Sequence, residues 1–266
     1  MKRSLFAMLV LLMVCLLLAG CGAKEPENQL EVVKDAKAIK IGVSADYPPF
    51  AFVDESGEFT GFAIDVDREI AKRMGVELEL MDVPYDTLYT ALQEGKYDVA
   101  DGNHMWTEER EEFMDMPRPY FISKNALLVA EDFDESQIQT VEDVAKFMVA
   151  QQTGGVEEKF MRETLVDTGL LPEENLTLYE RADSIALDVK AGRQDVSMNK
   201  VIVLKSMVDE LGGLKMIYVD GLPEGGVHMG VNEGETELRD AIDQIIADLE
   251  AEGLLDELAK KYDMTD

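Results

Sequence analysis

The stretch Asp98–Arg110, Asp-Val-Ala-Asp-Gly-Asn-His-Met-Trp-Thr-Glu-Glu-Arg, ends in the residue best suited to bind an anion. Its pattern predicts a strand end, a loop bearing Gly102, and a helix opening at Thr107. Thr107 suits an N-cap, because its hydroxyl can accept a bond from an orphan N–H of the first turn. Glu108 and Glu109 follow where the helix dipole favours negative charge. Arg110 breaks the pattern. An acid there would complete a capping box, whereas an arginine sets a fork of donors beside free backbone N–H groups. That combination suits a carboxylate. The plainer use of Arg110 is an ion pair with a neighbouring Glu on a solvated face. Taken alone, the local sequence favours the plainer use.

Signals for catalysis are sparse. A reaction needs a poised acid–base group or a nucleophile. The chain has two histidines, His104 and His228, without metal-ligand spacing. His104 falls in the loop before Arg110, where it would touch a ligand or point to solvent. No glycine-rich loop meets the strand-to-helix context of a nucleotide site. The expectation is binding rather than turnover, with no metal and no cofactor. A formal charge of −30 excludes nucleic acid, since phosphate affinity comes from clustered Lys and Arg.

The N-terminus predicts export. Lys2 and Arg3 precede the uncharged apolar run Leu5 to Leu18, which reads as a signal peptide too short for a comfortable span. The run closes in Leu18-Ala19-Gly20-Cys21, which matches the bacterial lipobox. Residues 1–20 are thus expected to leave, with Cys21 lipidated and the mature protein anchored outside the cytoplasm. One acyl chain holds weakly, so the two chains of a diacylglycerol matter for lasting attachment. Cys15 leaves with the signal peptide, and the folded part has no disulfide. Residues 21–36 are polar and lack periodicity, and read as a tether.

About 230 residues remain, enough for one large domain or two lobes. Ile39–Val43 predicts a strand, followed by a loop that Pro48 and Pro49 hold extended. That loop presents Tyr47, Phe50 and Phe52, with Phe50 suited to the core. Gly61–Gly75 has helical spacing and a glycine stop. Val76–Met81 alternates as a strand, Tyr85–Gln93 is helical, and Tyr97–Ala100 is another strand. Strands alternating with helices give an α/β chain with a parallel sheet. Near the C-terminus, Leu238, Ala241, Ile242, Ile245, Ile246 and Leu249 make one stripe. Gly253 then separates a second helix, Leu254–Tyr262.

Five features together give a resemblance: the lipobox, Tyr47-Pro48-Pro49-Phe50, the Gly61–Gly75 signature, Thr107-Glu108-Glu109-Arg110, and Glu257-Leu258-Ala259-Lys260-Lys261-Tyr262. The chain resembles the family 3 extracellular solute-binding proteins, the polar amino-acid receptors of bacterial ABC importers. One departure is Ala63, where an acid usually follows the aromatic. The resemblance implies a two-lobed periplasmic-binding-protein-like fold of type II, each lobe a mixed sheet flanked by helices, joined by two hinge strands. Lobe 1 would comprise 37–127 plus 229–266, and lobe 2 would comprise 128–228. The crossings would fall near Asn125–Ala130 and Val227–Val231. The partners implied are a small carboxylate ligand and the permease of an ABC importer, with the receptor itself a monomer.

The resemblance also implies a site. Arg110 would grip the ligand carboxylate with backbone N–H groups around Gly102 and Asn103. Tyr47 and Tyr85 would flank the ligand, with Phe52 beside them. The loop holding Thr153, Gly155 and Val156 would close from lobe 2. Three positions depart from the pattern. Met105 replaces a serine or threonine, Val156 replaces a threonine, and Lys200 stands where relatives place an aspartate that takes an ammonium. Three accounts of Lys200 stay open: a ligand that is not an ordinary amino acid, an ion pair with Glu157 or Asp101 that leaves Asn199 and loop carbonyls for an ammonium, or a register in which Asn199 holds the key position. Gly154-Gly155 followed by Glu158-Lys159-Phe160 also resembles the cyclohexadienyl dehydratases, enzymes on this fold. They draw a general acid from lobe 2, and no acid in Asp195–Leu204 occupies a comparable position. A sensor without transport is a further alternative.

Overall fold

The computed structural model describes residues 28–264, so the expected signal peptide and Cys21 lie outside the described residues. The first strands are β1 (Ala38–Val43), β2 (Asp46–Tyr47), β3 (Ala51–Val53), β4 (Phe59–Thr60), β5 (Glu77–Asp82), β6 (Val99–Met105) and β7 (Met114–Asp115). There follow β8 (Phe121–Ala130), β9 (Val149–Gln152), β10 (Leu176–Tyr179), β11 (Val196–Lys200), β12 (Leu214–Ile217) and β13 (Glu224–Asn232). The helices of the first half are α1 (Gln29–Ala36), α2 (Phe62–Met74), α3 (Tyr85–Gln93) and α4 (Glu108–Glu111). The rest are α5 (Val156–Met161), α6 (Ala182–Lys190), α7 (Val201–Leu211), α8 (Thr236–Ala251) and α9 (Leu254–Lys261).

The strands sort into two groups that meet at β8. In the first lobe, β1 lies parallel to both β5 and β6. Its Ile39, Ile41 and Val43, which share one face of the strand, are fully buried. β13 adds antiparallel to β6. In the second lobe, β9 lies parallel to β10 and β11, while β11 and β12 both run antiparallel to β8. The result is an α/β fold of two lobes, each a mixed sheet with helices packed on it.

β8 serves both lobes in turn. Its residues 121–124 pair with 227–224 of β13. From Asn125 onward it pairs with Lys200 and the rest of β11. The paired crossing thus sits a few residues before each of the segments expected for it.

Most helices follow their sequence signals. α2 ends at Gly75, whose φ of 73° is the left-handed stop a glycine provides. Gly61 before it has φ 125°, and a Cβ there would lie 2.1 Å from the Phe50 carbonyl oxygen. α8 buries Leu238, Ile242, Ile246 and Leu249.

Two expectations need correction. The tether does not reach Ala36, because α1 begins at Gln29. Asn28 caps it, accepting from the Glu31 N–H at 3.0 Å, and Val33 is fully buried. Gln29 holds the helix down by donating from its N–H to Glu235 (2.8 Å) and from its amide to Asp98 (2.5 Å). The Asn28-x-x-Glu31 spacing is a helix-start signature, but only Leu30 and Val33 form its apolar stripe. Secondly, β6 runs through the expected loop to Met105. The ladder to β13, Val227 opposite Met105 and His228 opposite His104, holds it extended.

Candidate functional site

The lobes face each other across a cleft lined from the first lobe by Ser44, Asp46, Tyr47, Tyr85 and Gly102. The second lobe contributes Gln151, Gly155, Glu157, Met198, Asn199 and Lys200. The free volume is about 10 Å³, about one water position. Beside this inner cleft, and sharing Gly155 with it, is an outer groove of about 470 Å³. Arg110, Tyr89 and Phe113 line it from one lobe, and Val156, Lys159 and Arg162 from the other.

Thr107 caps α4 as its sequence predicts, accepting from the Arg110 N–H at 3.2 Å. The short helix turns Arg110 inward, where it is 6% exposed. One guanidinium nitrogen donates to the Met105 carbonyl at 2.6 Å. The other donates to the Tyr85 hydroxyl at 3.0 Å and to the Gly154 carbonyl of the second lobe at 3.4 Å. The guanidinium also lies 5.0 Å from the centre of the Tyr89 ring, and Tyr89 donates to the Tyr85 hydroxyl at 2.9 Å. Among the described residues, Arg110 forms no ion pair with a carboxylate. The plainer use falls to its neighbour, since Glu109 pairs with Lys159 across the cleft at 2.5 Å.

Lys200 sits at the end of β11 and is 4% exposed. Its Nζ donates to the Tyr47 hydroxyl at 3.2 Å and lies 3.5 Å from Glu157 Oε1. Burial alone would lower its pKa, but the Glu157 carboxylate and the Tyr47 oxygen raise it above the ordinary lysine value. Lys200 is therefore charged. Tyr47 in turn donates to Asn199 Oδ1, which also accepts the Lys200 N–H at 2.8 Å. Burial holds the Tyr47 phenol well above its usual pKa, so it stays protonated.

Of the accounts left open for Lys200, the geometry matches the ion pair with Glu157. Asp101 is not the partner. It lies fully buried inside the first lobe, accepting from Tyr120 Oη at 2.6 Å and from the Asn103 N–H at 3.2 Å. The Asn199 carbonyl is not left free for a ligand either.

The structure brings Tyr47, Tyr85, Gly102, Gly155, Asn199 and Lys200 to the inner cleft, with Arg110 and Val156 in the adjoining groove. Four other residues expected at the site line neither space. Phe52 pairs opposite Asp46 and Thr60 in the small sheet β2–β3–β4. Asn103 has φ 53°, and its Oδ1 turns inward to Tyr120 at 3.1 Å. The Met105 methyl lies 3.0 Å from the place a Cβ on Gly225 would take, so it packs toward the crossing strand. Thr153 donates its N–H and hydroxyl to the Tyr179 carbonyl. His104 lines neither the cleft nor the groove and does not face solvent: it is 1% exposed, edge-on to Tyr89 at 5.5 Å. Burial and the nearby Arg110 hold its pKa far below the ordinary value.

Two contributors escaped the sequence. Asp46 links the lobes, accepting the Ser44 hydroxyl at 2.7 Å and, across the cleft, the Ala182 N–H at the start of α6 at 2.8 Å. Burial raises its pKa. Nothing local distinguishes it from an ordinary turn acid. Tyr89, which backs Arg110, sits four residues after Tyr85. That spacing puts both rings on one helix face.

Similarity to known proteins agrees with this geometry. The histidine-binding periplasmic protein of Escherichia coli is 29% identical over 231 residues, covering 84% of this chain and 86% of that one. The arginine-binding extracellular protein ArtP of Bacillus subtilis is 25% identical over 265 residues, 98% of each chain. A crystal structure of a mutant of ArgBP from T. maritima superposes with a TM-score of 0.81 at 28% identity, covering 89% of this chain and 99% of that one. The family model of the bacterial extracellular solute-binding proteins, family 3, matches residues 39–265, and the chain belongs to that family.

Proposed function

We propose that this solute-binding protein captures a small carboxylate-bearing solute between its lobes and delivers it to the permease of an ABC importer. Cys21 would carry the lipid that keeps it at the outer face of the membrane, and it would act as a monomer. Lobe 1 is built on β1, β5, β6 and the end of β13 with α1 packed on it, lobe 2 is built on β9 to β12, and the paired crossing at 121–124 and 224–227 acts as the hinge. Capture is by rotation of one lobe toward the other about these strands. Arg110 holds the carboxylate, Tyr47 and Tyr85 flank the solute, and the Thr153–Val156 loop closes over it. The activity is binding without turnover.

One observation carries this reading: Arg110 is buried at the meeting of the lobes and, among the described residues, forms no ion pair with a carboxylate. A buried guanidinium without a counter-charge is costly, and a ligand carboxylate supplies that charge with matched geometry. The test is a thermal-shift screen of the protein against amino acids and small mono-, di- and tricarboxylates. Solute at about a hundred times its dissociation constant adds roughly 2.7 kcal/mol of stability. A stabilising solute whose effect disappears in Arg110→Ala supports the reading. An unchanged effect in that variant sinks it.

A further inference from the structure

We infer that the captured solute carries a carboxylate but no ammonium group. The inference rests on the reading above and narrows it to a ligand class.

It follows from a count of donors and acceptors. Among the side-chain acceptors of the inner cleft, Glu157, Tyr47, Asn199 and Asp46 already serve the protein's own donors, and the buried Gln151 amide nitrogen is a further donor without a partner. Glu157 faces Lys200 Nζ at 3.5 Å, and the Tyr47 hydroxyl takes a bond from the same nitrogen at 3.2 Å. Asn199 Oδ1 accepts from the Tyr47 hydroxyl and from the Lys200 N–H. Asp46 accepts from Ser44 at 2.7 Å, from the Ala182 N–H at 2.8 Å and from the Gln152 amide at 3.5 Å. Its charge is met by the positive end of α6. An ammonium entering the cleft would have to share these oxygens with the Lys200 ammonium, a like charge in a site with little water.

Donors are in surplus. Lysine offers three N–H groups and arginine five. The bonds above use two on Lys200 and three on Arg110. Lys200 pairs with Glu157, which leaves Arg110 with no carboxylate in hydrogen-bond reach among the described residues. Lys200 thus occupies, as a fixed part of the wall, the place a ligand ammonium would otherwise fill. The solute it admits is an organic acid with hydrogen, hydroxyl or a keto oxygen at the carbon beside the carboxylate.

Matched pairs that differ only at that carbon provide the test. Titration calorimetry on the detergent-solubilised full chain would compare pyruvate with alanine, 2-oxoglutarate with glutamate, and succinate with aspartate. The expected result is one pair in which the ammonium-free acid binds about a hundredfold more tightly. Lys200→Gln releases Glu157, and the preference within that pair should move by a similar factor toward the amino acid. A pair in which the unaltered protein binds the amino acid as tightly as its partner overturns the inference while leaving solute capture intact. So does a preference that Lys200→Gln leaves unchanged in a variant whose melting curve shows it folded. Silence of both members of every pair, in both proteins, removes the proposed function and this inference with it.

Discussion

At the scale of the residue, the chemistry of the site is set by which charges the fold leaves unanswered. Arg110 and Lys200 are both buried cations, but only Lys200 has an internal carboxylate. Glu157→Gln should therefore be the more damaging change to the resting protein, because it strands a buried ammonium, at a cost of about 3–5 kcal/mol. Chemical denaturation of that variant beside Arg110→Ala checks the order. A second residue-scale prediction concerns Asp67 and Asp101, which lie fully buried with three of their four oxygens lacking any hydrogen-bond partner. Burial pushes Asp101 up to about 6, and burial together with the Asp101 charge pushes Asp67 well above the usual carboxylate range. The folded state then holds protons that the unfolded chain has released. Each group stabilises below the unfolded value of 3.8 and loses that contribution as pH rises through its own raised folded value, about 6 for Asp101. Asp67→Asn should flatten the decline in denaturation midpoint between about pH 4 and pH 6 relative to the unaltered protein. An identical slope in the two proteins would reject it. Local rules made Thr107 and Arg110 legible in the sequence, since cap and arginine are three residues apart. They could not reach the Lys200–Glu157 contact, which joins residues 43 apart in sequence, nor the turn of Asn103 away from the cleft, which depends on a positive φ.

At the scale of the element, periodicity long enough to average over exceptions was decisive. α2, α3 and α8 stand where the spacing of apolar residues puts them. α1 has only Leu30 and Val33 to show, too few to separate from a polar linker without the capping signature of Asn28 and Glu31. Its packing is nonetheless substantial, since Val33 is fully buried and Leu30 packs on the same core. A protein beginning at Lys37 should lose roughly 1.5–3 kcal/mol from Val33 alone. Each kilocalorie lowers the melting temperature of a chain this size by about 2–4 °C. Calorimetric scans of the two lengths decide the matter, and equal melting temperatures would mean the helix only rests on the surface. β6 teaches a related lesson. Glycine and asparagine at 102 and 103 suggested a loop, but pairing with β13 overrides local preference.

At the scale of the whole molecule, the lobes touch through polar contacts as well as apolar ones. Asp46 caps α6 from the opposite lobe, and Tyr47, Arg110 and Glu109 each reach across. Asp46→Ala should weaken the closed arrangement by about 0.5–2 kcal/mol, the worth of a helix cap. Small-angle scattering should then show a larger radius of gyration for the variant without solute, converging on the unaltered protein at saturation. No change at any solute concentration would mean the contact is incidental to closure. The two-lobed plan was legible only through the family resemblance, since length alone allowed one large domain or two lobes. The placement of the crossing was less so, because its hydrogen bonds join segments about a hundred residues apart. β8 carries a last consequence. A single strand that is laced to β13 at one end and to β11 and β12 at the other can twist between its two ends without any rung of either ladder parting. Under the proposed hinge motion, opening and closing would act as torsion of an axle rather than the unzipping of a seam. Amides along that strand should exchange with solvent at the same slow rate whether solute is bound or absent, while those of the cleft walls respond to it.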